Sequence, residues 1–190
     1  MKIVCLLGSP HPAGNSAAVA KRFLDTAASL GAETETFVLN ALTYRGCQGC
    51  YACKTRLERC GLTDDLSGVL EAVREADTVV LATPTYYGDI SSQLKGFIDR
   101  TYSYLKPDYL TNTSPSRLAA GKKLVFIITQ GHPDEAMFSD IFPRYNNFLK
   151  WYGFQNGILL RVCGVAQPGE AEARRDVMLL AEETARKIVG

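Results

Sequence analysis

Lys2-Ile3-Val4-Cys5-Leu6-Leu7-Gly8-Ser9-Pro10-His11-Pro12-Ala13-Gly14-Asn15-Ser16-Ala17 carries a β-branched, apolar run into a loop of small and hydroxyl-bearing residues and then into a helical pattern. The apolar run is too short to be the core of a signal peptide with its cleavage site, so it reads as a first strand. Apolar residues recur at helical spacing from Gly14 to Leu30, and Glu33 to Leu39 alternates as a second strand before a polar, cysteine-rich loop. Asp65 to Glu75 predicts a helix, Asp77 to Ala82 a buried strand and Ser92 to Tyr104 another helix. Lys122 to Thr129 is the strongest strand, Asp134 to Trp151 a helix, Phe154 to Val162 a fifth strand and Gly169 to Val189 a closing helix. Strands that are apolar throughout and separated by helices imply a parallel sheet covered on both faces, with right-handed crossovers. Five strands and five helices therefore predict a doubly wound α/β architecture. Such sheets bind ligands beyond the carboxyl ends of their strands, which directs attention to the loops after Leu7, Leu39, Ala82, Thr129 and Val162.

The remaining composition narrows the function classes. A chain of 190 residues can be served by one hydrophobic core, so residues 1–190 are expected to form a single domain. Hydrophobic residues at 46% and charged residues at 22% match an ordinary soluble globular protein. A formal net charge of +1 gives no electrostatic reason to expect nucleic acid or an anionic membrane as partner. No stretch approaches the ~20 apolar residues that span a bilayer, and the cytoplasm is the expected location. A small-molecule ligand is the expected partner. Lys106 to Gly121 reads as a long surface connection bordering the site.

The loop after the first strand suits an anion. Amide groups at a helix amino terminus lack internal partners and the macrodipole is positive there, so a phosphate is held without a fixed positive charge. Ser9, Asn15 and Ser16 add side-chain donors. The loop lacks the Gly-x-Gly-x-x-Gly fingerprint, and no Gly-Lys-Ser/Thr follows it, so neither a dinucleotide site of that type nor a P-loop is supported. A monophosphate fits better, although Asn15 or Ser16 would also cap the helix with no ligand present.

After the third strand comes Ala82-Thr83-Pro84-Thr85-Tyr86-Tyr87-Gly88-Asp89-Ile90, followed by Ser91-Ser92-Gln93-Leu94-Lys95-Gly96-Phe97-Ile98-Asp99-Arg100. Together with Gly8-Ser9-Pro10 and Asn15-Ser16, this segment resembles the NAD(P)H-dependent FMN reductase and flavodoxin-like flavoprotein family. The resemblance implies a flavodoxin-like doubly wound five-stranded parallel sheet, order 2-1-3-4-5, with helices on both faces. It implies that Ser9, His11, Asn15, Ser16 and Ala17 surround the phosphate of flavin mononucleotide (FMN), while Pro84, Thr85, Tyr86, Tyr87, Gly88 and Asp89 border the isoalloxazine ring. Thr129 and Gly131, in Thr129-Gln130-Gly131-His132, would complete the far wall, with His132 lining the rim. A flavin ring needs a surface to lie against and N–H donors at its polar edge, which a Pro- and Gly-bounded loop supplies. His11 stands where relatives more often carry Arg or Lys, which implies weaker or more pH-sensitive phosphate binding.

Cys47, Cys50, Cys53 and Cys60 place four thiols in one short loop. Four thiolates can ligate a [4Fe–4S] cluster, and C-x2-C-x2-C runs commonly announce iron–sulfur sites. The spacing resembles the compact motif of iron–sulfur flavoproteins, a branch of the same family. Tetrahedral zinc is a competing reading, although its thiolate pairs usually lie farther apart, and a thiol loop with no metal is another. The loop follows the second strand, which would put it on the ligand edge. Cys5 reads as a buried small hydrophobe and Cys163 as a structural thiol near the site edge.

The resemblance implies an oxidoreductase in which NAD(P)H reduces FMN and a quinone, free flavin or small carrier takes the electrons. No acid–base triad is legible, consistent with chemistry that belongs to the cofactor. The alternative is an electron carrier relaying single electrons between protein partners through a [4Fe–4S] cluster and FMN. The family resemblance further implies a homodimer or homotetramer, with Tyr102, Tyr104 and Tyr109 as candidate interface aromatics.

Overall fold

The computed structural model describes the chain from Met1 to Gly190, apart from the side chains of Gln155 and Asn156. Strand β1 (Lys2–Leu7) pairs in parallel with β2 (Glu33–Val38) on one side and β3 (Thr78–Tyr86) on the other. Strand β5 (Lys122–Gln130) lies parallel to β3, and β6 (Phe154–Cys163) parallel to β5. The resulting order β2-β1-β3-β5-β6 is the flavodoxin-like one. The sheet contains a sixth strand that the expected five omit. β4 (Asp89–Ile90) folds back antiparallel on the end of β3 through Tyr87 and Gly88, both at positive φ (52° and 80°). A two-residue turn with positive φ at both positions matches the natural twist of a hairpin.

Alternation along the strands feeds two separate cores. Val4 and Leu6 of β1 pack with α3 (Leu66–Glu75), α4 (Ser92–Arg100) and α5 (Ile141–Trp151). Ile3, Cys5 and Leu7 turn to the other face, against α1 (Asn15–Ser29) and α6 (Arg175–Val189). Cys5 is fully buried there, as a small hydrophobe would be. A short helix α2 (Ala52–Thr55) sits inside the cysteine loop and was not expected.

Helix ends depart from the sequence pattern for local reasons. The helix expected from Asp134 begins at Ile141, because Phe138 adopts a left-handed backbone (φ 62°) and the Asp134 carboxylate accepts from the Ala136 amide in a turn. The helix expected to run to Tyr104 ends at Arg100 and tightens into a 3₁₀ turn, Thr101–Tyr104. Tyr104 is not a surface aromatic: its ring is 1% exposed and its hydroxyl donates to the Leu70 carbonyl, which removes it from the candidate interface residues. The 106–121 connection is held by a bridge between Leu105 and Ser116 and does not line the rim cavity described below.

Candidate functional site

The loops after β1 and β3 meet at the carboxyl rim of the sheet. Gly8 N–H donates to the Ala82 carbonyl (2.8 Å), and the buried Ser91 hydroxyl donates to the Gly8 carbonyl (2.6 Å). Ser91 also accepts from the Leu94 amide, capping α4, while its own amide donates to the Thr83 hydroxyl. One serine thus fastens the first loop, the third strand and the start of α4 together. Gly8 is required at this junction, since a Cβ there would stand 2.8 Å from both Leu94 Cβ and Ser91 Oγ.

Between these loops lies a cavity of about 480 Å³, within the usual range for small-molecule and cofactor sites. Of the residues singled out from the sequence, Ser9, His11, Asn15, Ser16, Pro84, Thr85, Tyr86, Thr129 and Gly131 line it. Ala17, Tyr87, Gly88 and Asp89 do not. Ala17 faces a more open trough of about 610 Å³ between α1 and the edge strand β2, whose Lys21 and Arg22 are offset by Asp25 and Glu172. That trough flanks a helix, whereas the smaller cavity occupies the strand ends where ligands bind such sheets. Tyr87, Gly88 and Asp89 shape the hairpin beside the cavity. The Asp89 carboxylate accepts from the Tyr145 hydroxyl (2.9 Å) and pairs with Arg144 (3.4 Å), tying the hairpin to α5. Burial first, and then this bond to Asp89, push the Tyr145 hydroxyl well above its ordinary pKa, so it remains a donor.

The loop after β6, on the strand edge expected to bind ligands, adds a wall whose residues the sequence did not single out: Val165, Ala166, Gln167 and Pro168 line the cavity. Asn15 holds it in place. Its amide donates to the Gln167 carbonyl (2.9 Å) and its carbonyl oxygen accepts from the Ala171 amide (3.0 Å). Both ends of the Asn15 side chain are therefore engaged within the protein. The signal available was Val162, the end of the fifth strand on the ligand edge. Cys163 is partly exposed beside this loop, and burial is the main influence raising its thiol pKa.

Two features show that the cavity suits an anionic, hydrogen-bonding ligand. The amino terminus of α1 opens on it with no side-chain cap, since Gly14 is the N-cap and no acidic residue occupies the first turn. Neither Asn15 nor Ser16 performs the capping that the sequence left open. Second, Thr85, which lines it, carries a buried hydroxyl with no hydrogen-bond partner among the described residues. A buried polar atom without a partner costs about 1–3 kcal/mol. Thr85→Val is thus expected to leave the protein at least as stable. Parallel thermal melts of the two proteins check the sign.

The four loop cysteines gather around a separate cavity of about 170 Å³, together with Arg100, Tyr102 and Ser103. This cavity is not on the rim, contrary to the expectation from its place after β2. It lies by the carboxyl end of α4, about 13 Å along the helix from Ser91 at 1.5 Å per residue. Arg117 donates to the Cys53 carbonyl, and the Lys54 ammonium donates to the Tyr102 and Leu105 carbonyls while lying 3.9 Å over the Tyr102 ring. Burial is the main influence raising the Cys53 thiol, with Lys54 opposing it and the other three thiols adding to it. Among the described residues, no three His, Cys, Asp or Glu side chains are placed to hold a single metal ion. A cavity lined by four thiols and the Arg100 guanidinium fits an anionic iron–sulfur cluster in donor chemistry.

The NADPH-dependent FMN reductase family profile matches residues 1–139. An iron-sulfur flavoprotein of Methanocaldococcus jannaschii is 37% identical over 101 residues, covering 53% of this chain and 52% of the relative. The chain spans about half the length of such curated relatives. The NAD(P)H:quinone oxidoreductase from Methanothermobacter marburgensis has the same fold, with a TM-score of 0.77 at 20% identity over 100% of this chain and 96% of that one. The FMN-dependent NADH-azoreductase from Bacillus anthracis, solved in complex with FMN, gives 0.74 at 18% identity over 100% of both chains.

Proposed function

Because this chain belongs to the NADPH-dependent FMN reductase family, we propose that it is an FMN-binding oxidoreductase that uses NAD(P)H and delivers electrons to a quinone, free flavin or small carrier. The observation that carries this reading is the rim cavity, lined by the uncapped start of α1 and by the loops after β1 and β3 that Ser91 fastens together. Ser9, His11, Ser16 and the first-turn amides of α1 would hold the phosphate, with Asn15 fixing the loop that closes over it. Pro84, Thr85 and Tyr86, with Thr129 and Gly131, would border the ring. Bound FMN supplies the two-electron chemistry between the nicotinamide and the acceptor. The chain's own work is to orient the ring, limit water and leave one side open. The relatives' names support a reductase of quinones or related acceptors.

A specific observation favours a second reading, an iron–sulfur flavoprotein that carries electrons between proteins: all four cysteines line one cavity, and the curated relatives include proteins of that name. Anaerobic purification with flavin, iron and sulfide analysis separates the two. NAD(P)H oxidation coupled to a quinone supports the enzyme. Stoichiometric iron and sulfide, with reduction by ferredoxin but not by NAD(P)H, supports the carrier.

We further propose a homo-oligomer. Tyr102, Tyr109, Trp151 and Phe148 contact one another in sequence edge to face or tilted, and Trp151 and Phe148 are about half exposed. A monomer in gel filtration would contradict this. Among the described residues, no helix is long and apolar enough to cross a membrane.

A further inference from the structure

The guanidinium that ends α4 is built into the cysteine cavity in a way the fold alone does not require. The Arg100 side chain has no exposed surface. Nη1 donates to both Asp64 oxygens (3.1 and 2.8 Å) and to the Arg45 carbonyl (3.0 Å), and Nη2 donates to the Leu62 carbonyl (3.3 Å). These contacts fix the plane of the fork. Nε is equally buried and, among the described residues, meets no oxygen or nitrogen acceptor, the Cys60 sulfur being the group that faces the guanidinium there. Arg100 lines the same cavity as Cys47, Cys50, Cys53 and Cys60, and it is the only arginine that does. Burial opposes its charge, but Asp64 and the nearby Cys60 outweigh that effect. A cation that meets a cysteine sulfur at the wall of a cavity lined by three more thiols is placed to donate to sulfur.

We propose that Arg100 is a positioning residue whose Nε–H donates to a sulfur of a cluster held by Cys47, Cys50, Cys53 and Cys60, so raising the cluster's reduction potential. The proposal rests on the cluster-bearing reading. Hydrogen bonds and positive charge at the sulfurs stabilise the more negative, reduced cluster, and groups behind the ligands are among the levers that set its potential. Asp64 holds the fork in register, and the rigid planar guanidinium presents Nε–H in one direction, as a lysine ammonium would not.

The test is anaerobic reconstitution of the FMN-loaded full chain with ferrous iron and sulfide, as wild type, Arg100→Lys and Arg100→Met/Asp64→Asn. Iron and sulfide per chain, retained FMN and a potentiometric EPR titration are read for each. Each variant that takes up iron is expected to titrate at more negative potential than wild type, and the double variant, which also loses the tie from Asp64 to the cysteine loop, is expected to hold less iron. Wild-type protein labelled with ¹⁵N-arginine is expected to show a ¹⁵N coupling to the reduced cluster in pulsed EPR. This readout decides the matter if the variants fail to fold. A full cluster with unchanged potentials in the variants, or with no ¹⁵N coupling in wild type, overturns the role of Arg100 and leaves the cluster standing. Wild type that takes up no iron overturns the cluster reading itself, and the Arg100 role with it.

Discussion

Replacing Asp64 with alanine is expected to remove about 3–5 kcal/mol of stability, the cost of leaving one partner of a buried ion pair alone. Arg100 would keep only carbonyl acceptors for a cation with no exposed surface. The loss extends beyond the pair, because the same carboxylate accepts from the Arg45 and Leu66 amides and so joins the cysteine loop to the start of α3. Urea unfolding of wild type and variant reads the difference. Its pH dependence has a defined sign. Burial would raise the Asp64 pKa, but the bonds from Arg100 and the Arg45 amide outweigh burial and hold it below its ordinary value of 3.8. A carboxylate whose folded pKa is depressed contributes stability above its unfolded pKa and loses it as pH falls through the folded one. The gap between wild type and Asp64→Asn is therefore expected to be constant at neutral pH and to close as pH falls below about 4.

Gly8→Val is the second large effect. Its first added carbon would meet the backbone-proximal Leu94 Cβ, which no rotamer change can move away, and the Ser91 hydroxyl that clamps the loop. Overpacking of this kind costs about 1–3 kcal/mol. The functional effect is expected to exceed the structural one, because the displaced element is the joint between the two loops that form the cavity. FMN affinity is expected to fall by more than tenfold at a temperature where circular dichroism still shows the folded sheet. Retained affinity would mean that the two loops act independently.

The sheet was legible because its strands are long, apolar and separated by helices of clear periodicity, and Ile3, Val80 and Ile127 report nothing but burial. The Ser9 and Pro84 loops were legible for a related reason: each follows a buried strand on the edge where such sheets bind ligands. β4 was not, since two residues, Asp89 and Ile90, carry no periodicity, and only Gly88 hinted at the turn. The Val165–Pro168 wall depends on hydrogen bonds from Asn15 to residues more than 150 positions away, which no local pattern encodes. The cysteine cavity was assigned to the rim because its loop follows β2. Its actual place is fixed by the Arg100–Asp64 pair, which links segments 36 residues apart and draws the loop toward the far end of α4.

The central claim is that the Ser9 and Pro84 loops hold one FMN between them, and thermal melting of flavin-free protein with added FMN tests it most directly. At a flavin concentration 100 times the dissociation constant, binding to the folded state alone adds about 2.7 kcal/mol. For a chain of this size that corresponds to a rise in the midpoint of about 5–10 °C, reduced in Gly8→Val. A midpoint unmoved by saturating FMN would contradict the account.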